Sequence, residues 1–450
     1  MNKKKTVYIL GAGASASILP TQNGILDLVF TLSQDLSAFE QRKRCFLSMP
    51  IIELPEKLKD VYDIFDKCRQ KLGLFIISFF SSIEKTKQYK NAINQAKKIS
   101  IENSETQKEK ELWLKNAYEI VKTVNVRLED LFTIFDNISA GQEWFKNYSS
   151  KEMAKLHNEL KKCIIYALSY KITYKLLTSK KINDYTKFSS FLLKERLLES
   201  QKNDSFAVIT MNWDDVLERT LYKMCNEHNS GEKTKYKKVF PDLCIYDYDF
   251  EPKKNHFPSI RTKARGYKNI KILKMHGSLA WLECPRCGRL FTDYESEIAY
   301  EEFLGKRCPY CIDSNNKKRP KLRNLILTPT FMKSFNNLNI KNIWYNAYID
   351  ISEADHVVFI GYSLPDADFE MRCLLKKSIK ESASIEVVLS KEDNPKYYEK
   401  KLKKSGCSEA EIKQLIEKME LPPYRYNSFF GNKVKFSFCG FGGFLKKRRK

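Results

Sequence analysis

The stretch Thr6-Val7-Tyr8-Ile9-Leu10-Gly11-Ala12-Gly13-Ala14-Ser15-Ala16 decides the fold. Its first five residues are β-branched or apolar, the texture of a strand buried on both faces, and the glycines that follow at once form a tight loop at its carboxyl end. The same design recurs at Phe206–Thr210, at 270–275, at His356–Ile360 and at 385–389, each run giving way to Gly, Asn or Ser. Such runs predict an α/β protein with a Rossmann-like parallel sheet core, and ligands of open parallel sheets bind at those carboxyl ends.

Between the first and second strands the texture changes. Residues 108–124, 126–138 and 151–174 carry apolar side chains at helical spacing with lysines and glutamates between them, and Gly and Pro are scarce. They predict a large helical insertion at about 30–200. The polar stretch 87–111 reads as an exposed helix or a loose connector. No repeat is visible at solenoid periods. From residue 396 to 450 a small helical, basic extension is expected, with helices near 399–404 and 408–419.

Composition sets the remaining bounds. With 450 residues, 42% of them apolar and 13% aromatic, the chain is long enough for a core domain plus attached units and too apolar for wholesale disorder. The formal charge of +24 suits acidic partners, whether nucleic acid, anionic lipid or a phosphate-rich cofactor. The lysines are spread along the chain, however, so solvated basic faces account for that charge equally well, and only 446–450 forms a dense run. The longest apolar run, 72–80, is far shorter than the ~20 residues of a membrane span. The apolar stretch after Lys3-Lys4-Lys5 is too short for a secretory signal and reads as a buried strand instead. Four of the twelve cysteines fall in two close pairs and the rest are scattered, which points to a reducing, cytoplasmic compartment and one metal site.

The loops carry the candidate chemistry. Gly11-Ala12-Gly13-Ala14-Ser15-Ala16 fits the G-x-G-x-x-A dinucleotide pattern, in which glycines let backbone approach a diphosphate and the next helix supplies amide donors; a plain tight turn fits as well. The acidic residue usual at a second strand end is missing, since no strand precedes Asp27 or Asp35. Asn212 and Asp214, after Thr210, either both face the crevice or form a helix cap and first turn. His276, followed by Gly277-Ser278, stands where a sheet opens and is either a structural histidine or a proton-transfer group, imidazole being the side chain whose ordinary pKa lies near neutrality. Cys284-Pro285-Arg286-Cys287 and Cys308-Pro309-Tyr310-Cys311 form two C-x-x-C knuckles whose spacing suits a closed structural Zn²⁺ tetrathiolate within about 284–320. Gly361-Tyr362-Ser363-Leu364-Pro365 is a turn able to hydrogen-bond a phosphate or ribose.

The order of these motifs, G-A-G-x-S, T-x-N-x-D, H-G-S, paired C-x-x-C and G-x-S-L, resembles the sirtuin family, with the likeness confined to 6–28, 206–215, 270–330 and 355–390. The resemblance implies a sirtuin-like NAD-binding catalytic domain over 1–395. It places Gly11, Ala12, Gly13 and Ser15 at the phosphates, counts Thr210 among the cofactor-binding residues, and sets Asn212 and Asp214 at the ribose and nicotinamide. His276 becomes the general base or positioning group, Gly361 and Ser363 hold the adenosine side, and the four cysteines are zinc ligands. Met211 stands where deacylating sirtuins have Gln, the Gly-Ile-Pro-Asp-Phe-Arg stretch survives only as Gly24-Ile25-Leu26-Asp27-Leu28-Val29, and Pro329 removes an amide a peptide substrate would pair with. The insertion and the Gly361–Pro365 turn look instead like the sirtuin-like NAD hydrolases of bacterial antiphage defence. That likeness implies an NAD glycohydrolase acting by NAD depletion, regulated as a homo-oligomer or through a defence partner protein. A deacylase or ADP-ribosyltransferase is the second expectation, and a basic zinc-containing nucleic-acid or partner-binding module the third.

Overall fold

The computed structural model describes residues 4–32, 54–80, 107–142, 144–145, 148–178, 184–199, 204–233, 237–248, 259–260, 268–293, 298–311, 319–330, 335–418 and 421–448. In chain order the elements are β1 (Thr6–Leu10), α1 (Ile25–Thr31), α2 (Leu54–Phe80), α3 (Gln107–Val124), α4 (Leu128–Gly141), α5 (Ser150–Thr178), α6 (Asp184–Leu198), β2 (Phe206–Thr210) and α7 (Val216–Gly231). They continue as β3 (Val239–Asp242), β4 (Tyr246–Asp247), β5 (Ser259–Ile260), β6 (Lys268–Lys274), β7 (Gly277–Glu283), β8 (Leu290–Thr292) and β9 (Arg323–Ile326). The last part holds α8 (Leu338–Glu353), β10 (His356–Ile360), α9 (Phe369–Ser378), β11 (Ser384–Val388), α10 (Pro395–Lys404), α11 (Glu409–Lys418), α12 (Pro422–Phe430), β12 (Val434–Ser437) and α13 (Gly440–Arg448).

The main sheet runs β12-β11-β10-β1-β2-β6-β3 and every recorded pairing in it is parallel. The five predicted strands are all present at its centre. Burial explains their composition: β2 is buried at every residue, and in β1 and β10 only the first residue is partly exposed. From β1 the strands step one way to β2 and β6, while β10 and β11 lie on the other side. The chain therefore reverses its winding at the β1/β10 boundary, the switch point where open α/β sheets place their ligand crevice. The opposite, amino end is sealed by Lys5 and Lys271, whose ammonium groups both bridge Asp204 and Asp350.

Two strands of this main sheet were not read from sequence. β3 joins the β6 edge, and β12, from the segment expected to be a helical extension, pairs with β11 and completes the other edge. Within that segment α10 and α11 pack on each other around Ile412, Ile416 and Leu421, a small core of their own. Residues 446–448, expected in a solvated basic run, close α13, while 449–450 lie outside the described residues.

The described part of the insertion is mainly helical, with one antiparallel bridge between Phe145 and Tyr148. α2 packs on α3 and α5, and α5 on α4, around an aromatic centre in which Phe65 stacks on Tyr166 at 4.5 Å and Phe75 meets Phe135 at 5.0 Å. Most of 87–111 lies outside the described residues; 107–111 opens α3. No helix among the described residues is long and apolar enough to cross a membrane.

A second sheet, ordered β5-β4-β8-β7-β9 with strands from both before and after β6, carries the cysteine knuckles and draws in more chain than 284–320. The chain passes from one sheet to the other through Met275-His276. Gly277 makes the turn at φ +76°, and a Cβ there would lie 2.1 Å from the Leu325 carbonyl oxygen, so only glycine fits.

Candidate active site at the carboxyl ends of the parallel strands

The glycine loop and the β10 turn lock together across the switch point. Gly11 N–H donates to Ile360 O at 3.0 Å and Gly13 N–H to Gly361 O at 2.8 Å. A Cβ on Gly11 would sit 2.5 Å from Tyr362 Cα, and Gly361 is left-handed at φ +60° with Ala14 N only 2.3 Å from where its Cβ would be. These glycines are thus required for backbone-on-backbone packing, whatever ligand approaches. One expectation is corrected here: the loop does not lead straight into an α-helix. Ala12–Ser15 is a single 3-10 turn and α1 begins only at Ile25. Pro20 supplies the reason, because it lacks an N–H and disfavours helical backbone at Leu19. Within that turn the Gly13 and Ala14 amides are already taken, by Gly361 O and Gly11 O.

Asn212 and Asp214 both turn toward that loop. α7 starts at Val216 with Asp215 at its N-cap, so Asn212 is not a helix cap. Asn212 Nδ2 donates to Gly11 O at 2.9 Å and lies 3.0 Å from Ser15 Oγ and 3.3 Å from Tyr185 Oη. Ser15 Oγ donates to Asp214 Oδ2 at 2.7 Å. Thr210 Oγ1 receives the Asn212 amide at 3.2 Å, which fixes the start of the turn. All of these groups are buried; Asn212 is 8% exposed. Burial raises the Asp214 carboxyl above its usual range, with Lys274 and the Ser15 hydroxyl acting in the opposite direction.

Beneath this turn lies a buried ion pair. Lys274 at the end of β6 is wholly inaccessible, sits 2.6 Å from Glu218 Oε1 and donates to the Asp214 carbonyl oxygen. Desolvation pushes the Glu218 carboxyl up to about 7, although Lys274 pulls against it. Arg219 holds Asp215 at 2.6 Å on the outer side.

His276 follows from register. β2 and β6 pair Thr210 with Lys274, and Met275 N–H donates to Thr210 O at 3.0 Å, so Asn212 and His276 occupy equivalent positions on adjacent strand ends. His276 is buried, its Nε2 lies 3.6 Å from Asp368 Oδ1, and its carbonyl receives the Leu327 amide. The other oxygen of Asp368 accepts from Tyr362 Oη at 3.0 Å, and Tyr426 Oη donates to the Tyr362 carbonyl at 2.9 Å. Ser363 is half-buried beside Tyr362, Ala12 is partly exposed and Gly13 is exposed. Residues 11–15, 212–214, 276 and 361–363 therefore emerge from four adjacent strands, β1, β2, β6 and β10. Sequence reasoning missed Tyr185, Glu218 and Lys274, which reach the site from a helix of the insertion, from α7 and from the end of β6.

The cysteines converge as expected. The four sulfurs of Cys284, Cys287, Cys308 and Cys311 lie within 4.8 Å of one another, with Cys284–Cys311 at 3.6 Å and Cys287–Cys308 at 3.8 Å. A tetrahedral site with Zn–S near ~2.3 Å requires sulfurs about 3.8 Å apart, so the donor set fits zinc. Gly288, left-handed at φ +66°, closes the first knuckle by donating to Cys284 O at 2.9 Å. Arg289 is held between Tyr248 and Tyr310, 5.1 Å from each ring. Burial disfavours the Cys287 thiolate, yet hydrogen bonds from Arg289 outweigh it and bring the thiol down to about 7. A zinc held there would have all four positions filled by protein sulfur and none open to a substrate. The second acidic group, Asp204, Asp350 and Glu353, is filled by the Lys5 ammonium, 2.7–3.1 Å from each carboxylate, and holds chain together rather than a metal.

A parallel sheet that reverses winding at β1/β10, with polar groups gathered at that point and a four-cysteine module inserted beside it, defines a Rossmann-like α/β fold. Residues 207–410 match the family model described as a SIR2-like domain, a span that takes in Asn212, His276, the cysteines and the Gly361 turn but not the glycine loop. Among curated proteins none matches by sequence. Solved structures show partial likeness, and three of them illustrate it. One, from a study titled "The Structural basis of Sirtuin Substrate Affinity", is 13% identical over 86% of this chain and 82% of its own, with a TM-score of 0.30. A mutant Sir2 homologue in complex with ADP-ribose is 12% identical over 86% and 80%, TM-score 0.28. A Sir2–p53 peptide–NAD+ structure is 14% identical over 56% and 77%, TM-score 0.27.

Proposed function

We propose that this chain binds NAD at the β1/β10 switch point and hydrolyses the bond between nicotinamide and ribose, giving nicotinamide, ADP-ribose and a proton. The observation that carries the reading is the placement of Asn212 and His276 on adjacent strand ends beside the glycine loop, inside the span that matches the SIR2-like model. The exposed face of the Ala12–Ser15 turn would meet the phosphates, and the Gly361–Ser363 turn the adenosine side.

Cleavage leaves a cationic, oxocarbenium-like ribose. Asn212 suits that moment: it is neutral, so it does not trap the cation, and its Nδ2 is committed to Gly11 O, which leaves Oδ1 to accept from a ribose hydroxyl. Asp214 would anchor the nicotinamide amide. His276, oriented by Asp368, would take the proton from a ribose hydroxyl or from the attacking water. The tetrathiolate zinc would brace the module that supports His276 and takes no part in bond breaking.

A free NAD hydrolase would drain its own cell. We therefore propose that activity is held in check, through oligomerisation or a partner protein, until infection by phage calls for NAD depletion. The test is incubation of purified protein with NAD alone, followed by chromatography. Release of nicotinamide and ADP-ribose by wild type and at least about a hundredfold less by Asn212→Ala supports the reading. Nicotinamide release that requires an acylated peptide or a protein acceptor would make the chain a deacylase or transferase. A fall of cellular NAD on phage challenge, absent in Asn212→Ala cells, tests the defence role.

A further inference from the structure

We infer that Tyr185 is a positioning residue of this site, supplied by the last helix of the insertion and backed by the C-terminal helix. The inference rests on the NAD reading above and names a residue that reading does not use. Tyr185 comes from α6 and is 2% exposed, with its hydroxyl 2.8 Å from Ser15 Oγ and 3.3 Å from Asn212 Nδ2.

Counting protons gives those contacts a direction. Ser15 has one hydroxyl proton, and the Asp214 carboxylate takes it. The Tyr185 proton must then go to Ser15 Oγ, and the Tyr185 oxygen is left to accept from Asn212. Asn212 Nδ2 has two protons for three acceptors: one goes to Gly11 O and the other is shared between Ser15 and Tyr185. The result is a one-way chain, Tyr185 to Ser15 to Asp214, with the Asn212 amide clamped across it. An inverted Asn212 would set Oδ1 against Gly11 O, so the clamp fixes Oδ1 toward the ligand side.

Packing holds Tyr185 in turn. Phe441 of α13 meets the Tyr185 ring edge-on at 5.6 Å and the Phe188 ring at 5.3 Å, and α13 also touches the Ala12–Ser15 turn. The insertion and the C-terminal segment thus meet on the same tyrosine, one supplying it and the other packing on its ring.

The experiment compares wild type, Tyr185→Phe and Ile164→Val in NAD turnover and thermal unfolding. Tyr185→Phe keeps the ring on Phe441 and deletes only the hydroxyl. The expected result is a kcat about tenfold lower with KM within about twofold, because the lost group orients others rather than binding NAD. Ile164→Val trims the insertion core away from the site and serves as the control for simple loss of stability; it should lower the melting temperature and leave kcat unchanged. Tyr185→Phe with wild-type kcat, or with a loss no larger than that of the control, overturns the assignment alone. Wild type that neither binds nor cleaves NAD overturns the NAD reading and takes the assignment with it.

Discussion

Replacing Lys274 with Met tests the buried pair under the site. Lys274 is fully enclosed, 2.6 Å from Glu218 Oε1, and Glu218 is itself 2% exposed. Methionine keeps the length and removes the charge, so Glu218 is left without its counter-ion and in the repulsive field of Asp215 and Asp214. Breaking a buried pair by removing one partner costs about 3–5 kcal/mol. The cost should depend on pH with a definite sign. Burial already lifts the folded Glu218 carboxyl from 4.5 to about 7 with Lys274 opposing the rise; without Lys274 it rises further. A raised carboxyl binds its proton more tightly in the folded state. Stability is therefore greatest below the unfolded value and is lost as pH climbs toward the folded one, by up to about 1.4 kcal/mol per unit. Denaturant unfolding should show a larger deficit for Lys274→Met at pH 8 than at pH 5.5. The double variant Lys274→Met/Glu218→Leu should recover much of the loss, since an apolar pair replaces an ionic one at little cost. Nicotinamide release should stay low in both, because the donor to the Asp214 carbonyl is gone. Equal deficits at the two pH values, or a double variant no more stable than the single, would refute the reasoning.

Other outcomes follow from the same geometry. Gly361→Ala needs a left-handed backbone at φ +60° and places a methyl 2.3 Å from Ala14 N; strain alone costs about 1–3 kcal/mol, and both melting temperature and NAD affinity should drop. Metal analysis should find zinc in the purified protein, with Cys308→Ser losing it and melting at a lower temperature than wild type. Since burial raises Asp214, the pH–rate profile of nicotinamide release should carry its acid limb above the ordinary carboxylate range around 3.8; a rate undiminished down to pH 4 would show that the ionised carboxylate is not needed.

How much was legible in advance follows from the range of the interactions involved. The five central strands were readable because burial on both faces writes a continuous apolar run into a few consecutive residues, as at Phe206–Thr210. The cysteine knuckles were readable because a four-cysteine cluster built from C-x-x-C pairs is written locally in the sequence. The insertion was readable by its helical period. β12 was not, since Val434–Ser437 is a half-buried edge strand whose identity depends on β11 being there to pair with it.

The sequence by itself determined the strand-end loops, their glycines, and the residue types Asn212, Asp214 and His276 in their order, because each is tied to a turn formed by its immediate neighbours. The tertiary structure alone decided that the glycines pack on one another across β1 and β10, that Lys274 answers Glu218, and that Tyr185 reaches Ser15 over 170 residues of chain. Those pairings join elements distant in sequence, and a side chain carries no mark of the partner it will meet until the sheet order brings the two together.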